Sequence, residues 1–566
     1  MEISRYINPA QYLPIVYKFW RPWEKSKNPG KDDTDDQVSP MMKIFLRQYQ
    51  FKNQFRLLKN PLFVLLIILL AAIGFRLYKA HYTGIIYDEV WTYEDYCQDL
   101  HIAVTSYQST NNHLLNSIFI VLTQKVLGGY DHFIRVPAVL FGALFCCAIT
   151  YIVHKTIRSS LLKVIILPLV LMNWFIFDLT YLARGYALAL GATFTGIAVL
   201  MHLSSKAETG VPVSWRVIFF LIAMNFTALG SMLSSLSLVL NINIAYGLLM
   251  ILGSSKRGEK TLIKAMGRLG VIALGSAAAL YLLYQHVFSN MISLRHMFEV
   301  EPFYIYLKRV LWRPLLYTDL SQIKFNLWVY NASLGLLAFC TVICLWASFT
   351  RLKSRKGCNP IFSNPALLIL LLSLAVLLFM FVQSMVFGFS LGLARNGVFL
   401  LSLILISTGI LMDRAAWALS RVKFFPLLLR LACTGVLTVM CFRNLPSRRA
   451  VDIRTYDWGV QSAIGPLTRI LHQIDPYETW EIKLREPQTI NCNRSIRYYS
   501  GFGYNIKQVK GDAYDLWVYP EHPPDRRVVY FAQKRFADHH CCIVVNVAAF
   551  QNKRSLLYDL LIFGEK

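Results

Sequence analysis

Residues 61–96 read PLFVLLIILLAAIGFRLYKAHYTGIIYDEVWTYEDY, and the fold turns on how this stretch divides. Its first part, 61–77, is an apolar run long enough to cross a bilayer, and it lies far from the N-terminus without a small-residue cleavage pattern. It is therefore expected to be a retained span rather than a signal peptide. From about residue 84 the character changes to carboxylates interleaved with aromatics, as at a membrane surface. Further apolar runs follow near 134–153, 162–178, 185–202, 216–232, 234–253, 262–286, 332–350, 365–387, 396–412 and 424–441, giving about eleven spans. The 566 residues are 55% hydrophobic and 16% charged, with a mean hydropathy of +0.43. That balance excludes a soluble enzyme, a secreted disulfide scaffold and a disordered tail protein. A polytopic α-helical membrane protein is expected.

The net charge of +26, from 58 Lys+Arg against 32 Asp+Glu, would raise the question of nucleic acid in a soluble chain. In a polytopic chain it follows from topology, because basic residues gather in cytoplasmic loops. Lys18, Arg21, Lys25, Lys27 and Arg47 place segment 1–60 on the cytoplasmic side or its interface. Alternate loops then carry Lys155, Arg158 and Lys163; Lys206 and Arg216; Lys256, Arg257, Lys260 and Lys264; Arg351, Lys353, Arg355 and Lys356; and Arg414, Arg421 and Lys423. The scheme makes 61–441 the transmembrane module and puts the long loops 78–133 and 287–331 on the outer face. Segment 113–128 fits it only as an amphipathic interfacial helix, because counting it as a span would move the basic 154–163 loop outside. Segment 442–566 follows as a small extracytoplasmic domain, α/β or α+β, with strand-like runs at 526–532 and 541–549. On the outer side Cys97, Cys492, Cys541 and Cys542 are permitted to form a disulfide, such as Cys492 with Cys541 or Cys542.

Chemistry-bearing residues concentrate on that outer side. Asp88 and Glu89 stand among Tyr87, Trp91, Tyr93 and Tyr96, a semi-apolar setting in which a carboxylate is partly desolvated and useful as a base. Asn112 and His113 begin the interfacial segment, which ends at Gly128-Gly129 before Arg135 and Pro137. Tyr181, Arg184 and Tyr186 lie where one span ends and the next begins, and Arg395 sits at the outer edge of a later span. Two arginines meeting on one side of the membrane suit an anionic group, phosphate above all, because the guanidinium fork matches its oxygens.

In this order the residues resemble the GT-C superfamily of membrane glycosyltransferases: an outer-loop Asp-Glu after the first span, an Asn-Asn-His-x-Leu helix, an Arg-x-Pro entry to the next span and a later Ala-Arg-Gly-Tyr. The branch with protein O-mannosyltransferases and the aminoarabinose transferases of lipid A is the most similar. The resemblance covers 60–200 well, Arg395 loosely, and the C-terminal domain only by its location. Many members carry His-Pro-Pro or Lys-Pro-Pro where this chain has Asn112-His113-Leu114, so donor and acceptor preference do not carry over. The resemblance implies inverting transfer of a sugar from a polyprenyl-phosphate donor to a lipid, glycan or protein acceptor on the extracytoplasmic side. It implies Asp88 as base, with Glu89 as orienting partner or metal ligand, although the residue types alone allow the reverse. Arg184 and Arg395 would hold the donor phosphate, and Asn112, His113, Tyr181 and Tyr186 would line the substrate site. A divalent Mg or Mn ion is an open expectation, with Asp88, Glu89, Glu299 and Glu301 as ligands. The rival classes are a lipid-linked sugar flippase, which should show two related halves with broken helices, and an oligosaccharide polymerase or ligase.

Overall fold

The computed structural model describes residues 61–106, 113–128, 131–207, 214–255, most of 263–278, 364–385, 397–418 and five strands between 480 and 546, with isolated residues elsewhere. The expected spans near 332–350 and 424–441 lie outside these residues, as do Asn112, Glu299, Glu301 and Arg395. In chain order the helices are α1 (Pro61–Tyr82), α2 (Tyr87–Tyr96), α3 (Leu100–Thr105), α4 (Leu114–Leu127), α5 (Val136–Thr156), α6 (Ser160–Leu171), α7 (Trp174–Leu179), α8 (Gly185–Ala207), α9 (Trp215–Ser231), α10 (Leu236–Ser255), α11 (Met266–Ala278), α12 (Pro365–Met385) and α13 (Val398–Ala418). Single 3-10 turns at Asp131–Arg135 and Leu233–Ser235 precede α5 and α10.

Five helical segments among the described residues are long and apolar enough to cross a membrane: Pro61–Tyr82, Phe133–Thr156, Gly185–Ser204, Pro365–Ser384 and Val398–Ala418. The chain is an integral membrane protein by these helices. Helix α4, with 14 residues, rises about 21 Å, short of the ~30 Å hydrocarbon core, and buries its N-terminal half. One expected span is divided. In place of a single helix over 162–178 stand α6 and α7, parted at Met172 and Asn173. The cause is a buried cap: Asn173 Oδ1 accepts the N–H groups of Phe175 and Ile176, at 3.2 and 3.3 Å, and starts a new helix. Arg76 Nη2 donates to the Leu171 carbonyl at 2.8 Å, so that carbonyl at the end of α6 is satisfied without water.

Helix α8 is central, packing on α5, α9 and α10, while α1 packs on α5 and α6, and α13 on α12 and α6. In lipid such contacts depend on close fit rather than on expulsion of water. Gly191 of α8 shows it: a Cβ there would lie 2.5 Å from the Phe141 carbonyl oxygen of α5. Polar side chains join the next helices, Asn225 Nδ2 of α9 donating to Asn243 Oδ1 of α10 at 3.0 Å and to Ser276 Oγ of α11 at 3.1 Å. At the opposite end of the bundle Asp413 of α13 accepts the backbone N–H groups of Arg158 and Ser159, both at 2.9 Å, fixing the turn before α6.

Toward the C-terminus, β1 (Trp480–Leu484), β2 (Ile506–Lys510), β3 (Leu516–Pro520), β4 (Val528–Phe536) and β5 (His539–Asn546) form a mixed sheet of order β2-β1-β3-β5-β4. Strand β1 runs parallel to β2 and antiparallel to β3, β3 parallel to β5, and β4 antiparallel to β5 with a register shift between Tyr530 and Ala532.

Candidate functional site

The chain leaves α1 through Thr83–Ile86 and turns at once into α2, which carries Asp88 and Glu89 in its first turn, where the helix dipole favours negative charge. The two carboxylates meet different surroundings. Glu89 is fully enclosed and both its oxygens are engaged. Oε2 accepts the Ile86 N–H at 3.0 Å and Arg135 Nη2 at 2.5 Å, while Oε1 accepts Arg135 Nε at 2.8 Å and the Ala183 N–H at 2.6 Å. Arg135 in turn donates to the carbonyls of Ala80, Thr83 and Gly84 and to Thr83 Oγ1. One buried ion pair thus ties together the end of α1, the start of α2, the turn before α5 and the turn before α8. Glu89 is held as a positioning group.

Asp88 is the more exposed of the two, and its Oδ2 lies 2.7 Å from Arg184 Nη1. Arg184 stands in the tight turn between α7 and α8, its own N–H donating to the Leu182 carbonyl at 2.6 Å. Because Glu89 grips the adjacent Ala183 N–H, the same residue that sets the start of α2 also sets Arg184 opposite Asp88. Asn116 of α4 adds a bond from its Nδ2 to the Ala183 carbonyl at 3.1 Å. His113 completes this side: its Nδ1 is 2.9 Å from the Ser231 carbonyl oxygen. A carbonyl only accepts, so in neutral His113 the proton belongs on Nδ1 and the lone pair on Nε2. The His113 ring lies 5.3 Å from that of Tyr186, and the Arg184 guanidinium 5.9 Å from the same tyrosine ring.

Beneath this layer is a second buried pair, Lys79 with Asp178, Nζ to Oδ1 at 3.4 Å. Arg76, one turn earlier on α1, donates from Nε to Thr180 Oγ1 at 2.8 Å and lies 4.5 Å from the centre of the Phe177 ring. Tyr181, expected to line the substrate site, is fully enclosed in this layer, with Lys79 Nζ at 5.4 Å and Arg135 Cζ at 5.6 Å from its ring. Four buried cations, Arg76, Lys79, Arg135 and Arg184, stand against three carboxylates, Asp88, Glu89 and Asp178. Among the described residues the cluster therefore carries one positive charge in excess, the condition for drawing in an anion.

The structure brings together Asp88, Glu89, His113, Tyr181, Arg184 and Tyr186. Arg135 enters the sequence motifs without a role, and Arg76, Lys79, Asn116 and Asp178 are assigned none there. The available signal was the spacing of Arg76 and Lys79 in the last turns of an otherwise apolar helix, where cations are costly unless paired. Of the ligands expected for a divalent ion, Asp88 and Glu89 each face a guanidinium, Glu299 and Glu301 lie outside the described residues, and among the described residues no three His, Cys, Asp or Glu side chains gather.

Two expectations arise directly from this packing. A Cβ on Gly185 would lie 2.0 Å from the Ser231 carbonyl oxygen and 2.9 Å from Cβ of His113, so Gly185→Ala must push backbone apart. The variant is expected to lose about 1–3 kcal/mol, as overpacked cores do, read as a lower melting midpoint in detergent. Cys97, just after α2, is a buried free thiol. Burial pushes it up to about 12, against a smaller opposing effect of the Ser117 hydroxyl. With the folded value raised, its contribution to stability is complete below the ordinary thiol value near 9 and is lost as pH climbs toward about 12. Melting curves across that window should fall more steeply for wild type than for Cys97→Ala, and Cys97 should resist maleimide at pH near 8 until the protein is denatured.

Tyr498, in the C-terminal part of the chain, meets Tyr93 of α2 edge to face with ring centres 5.2 Å apart, so the C-terminal segment touches the helix that carries Asp88. Comparison with known proteins finds no family model and no curated protein that matches. Among solved structures the chain is similar to the archaeal oligosaccharyltransferase AglB from Archaeoglobus fulgidus, in complex with an inhibitory peptide and a dolichol-phosphate. The identity is 12% and the TM-score 0.37, over 69% of this chain and 57% of that one.

Proposed function

We propose that this chain is an inverting glycosyltransferase of GT-C type, moving a sugar from a polyprenyl-phosphate donor to an acceptor hydroxyl on the extracytoplasmic face. The observation that carries the proposal is the contact of Asp88 with Arg184, at 2.7 Å, in a cluster with excess positive charge among the described residues. Inverting displacement needs a base for the acceptor and a cation for the leaving phosphate, and this pair supplies both. The acceptor oxygen bonds to the anomeric carbon as its proton passes to Asp88. The bond from that carbon to the phosphate oxygen breaks, and polyprenyl phosphate departs with the additional negative charge facing Arg184. Donor phosphate competes for the guanidinium that pairs with Asp88 at rest, so donor binding frees the carboxylate and makes it a stronger base. Glu89 and Arg135 take no part in the bond changes and hold the two partners in register. Arg395 is assigned to the same phosphate, Asn112, His113 and Tyr186 to the substrate site, and the isoprenoid tail to the apolar helices.

Transfer by the purified protein in nanodiscs tests the proposal, with a panel of radiolabelled polyprenyl-phosphate sugars and a membrane extract as acceptor. Label should leave one donor for wild type and remain with it for Asp88→Asn. A wild-type protein inert with every donor, while the lipid-linked sugar crosses the bilayer, would replace the transferase with a flippase.

A further inference from the structure

The elbow between α9 and α10 reads ALGSMLSSLS over residues 228–237 and contains four serines. Ser231, Ser235 and Ser237 are at most 3% exposed, and Ser234 is half-buried. None of the four hydroxyls has a hydrogen-bond partner among the described residues. Hydroxyls in helices usually turn back to the carbonyl one turn earlier. Thr193 and Thr227 do so here, bonding to Ala189 and Ala223 at 2.7 and 2.9 Å, while the elbow serines do not. Buried hydroxyls without partners oppose folding, so a cluster of them points to a group that arrives later.

The elbow's neighbours narrow down that group. The Ser231 carbonyl receives His113 Nδ1 and lies directly against Gly185, the residue after Arg184. At Ser231 the elbow therefore flanks the ion-pair site on the side of the His113 and Tyr186 rings. From 217 to 255 the chain has no Lys, Arg, Asp or Glu, and the one charge on these two helices, Arg216, stands in the first turn of α9, at the end of that helix away from the elbow. Serine hydroxyls both donate and accept, which matches the hydroxyls of a neutral polyol, and the nearby aromatic rings offer apolar faces to its C–H groups.

We infer that the Ser231–Ser237 elbow binds the sugar ring of the lipid-linked donor, while Arg184 beside it holds the phosphate. The inference rests on the glycosyl-transfer proposal and extends it, dividing the donor between a neutral hydroxyl cradle and a cationic one. Each elbow hydroxyl gives up no existing bond to bind the sugar, so its contribution falls mainly on affinity.

The test compares binding of two radiolabelled lipids to the full chain in nanodiscs: bare polyprenyl phosphate, and the polyprenyl-phosphate sugar that serves as donor in the transfer assay. Wild type should bind the sugar-bearing lipid about tenfold or more tightly, a difference of a few hydrogen bonds. The Ser235→Ala, Ser237→Ala double variant should bring the two lipids close together and raise donor KM more than it lowers kcat. Its melting midpoint should stay level or rise, because no bond of the folded protein is removed. Equal binding of both lipids by wild type, an unchanged preference in the double variant, or a lower midpoint overturns the elbow assignment while leaving transfer itself intact. Absence of binding to either lipid together with absence of transfer overturns both proposals.

Discussion

Asp88→Asn is expected to reduce sugar transfer by about 10²–10⁴-fold, the usual contribution of a positioned general base. The fold should largely survive. Asparagine keeps the shape of the side chain and an oxygen for Arg184, and Asp88 is the less enclosed of the two carboxylates. Donor affinity should hold or improve, because the phosphate no longer competes with a full charge for the guanidinium. The expected pattern is thus a fall in kcat without a rise in donor KM. An equal fall with Glu89→Gln in a protein of unchanged melting midpoint would reverse the assignment and make Glu89 the base.

Arg135→Ala should have the largest effect on the protein itself. Removing one member of a buried ion pair leaves the other charged and enclosed, at a cost of about 3–5 kcal/mol. Glu89 would lose two of its four hydrogen bonds, and the carbonyls of Ala80, Thr83 and Gly84 would lose a donor they share. The variant should fail to accumulate in membranes, or melt far below wild type, and should lose transfer along with its fold. Arg135→Lys restores the charge, but its three donors cannot reproduce the planar fork. Partial recovery of the melting midpoint is expected, with transfer still impaired because Ala183 and its neighbour Arg184 are no longer held in register. Recovery of full activity by lysine would show that charge alone, and not the fixed geometry, sets the site.

Much of this site was legible along the chain, and for a reason. Asp88, Glu89, Arg184 and Arg135 stand in or beside apolar helices, where an ionisable group is expensive and therefore informative. Their residue types also suit the base and the anion holder proposed for them. The division of labour between Asp88 and Glu89 was not legible, since adjacent carboxylates in one helical turn look alike in sequence. Only the approach of Arg135 and the Ala183 N–H, from 46 and 94 residues away, fills the oxygens of Glu89 and leaves Asp88 to Arg184. The break at Asn173 was hidden for a similar reason. An Asn within an apolar run reads as a tolerated polar residue; here it caps α7, while Arg76 of α1 takes up the Leu171 carbonyl that the break leaves at the end of α6.

The sequence by itself determined that much of this chain folds as apolar helices with few charges inside them, because hydrophobicity and length act locally and need no partner to be read. What each charge does was decided by the tertiary structure alone. A buried ion or hydroxyl has a role only through the group it meets, and here those groups come from distant parts of the chain: Arg135 for Glu89, Arg184 for Asp88, Asp178 for Lys79, and for the elbow serines none among the described residues.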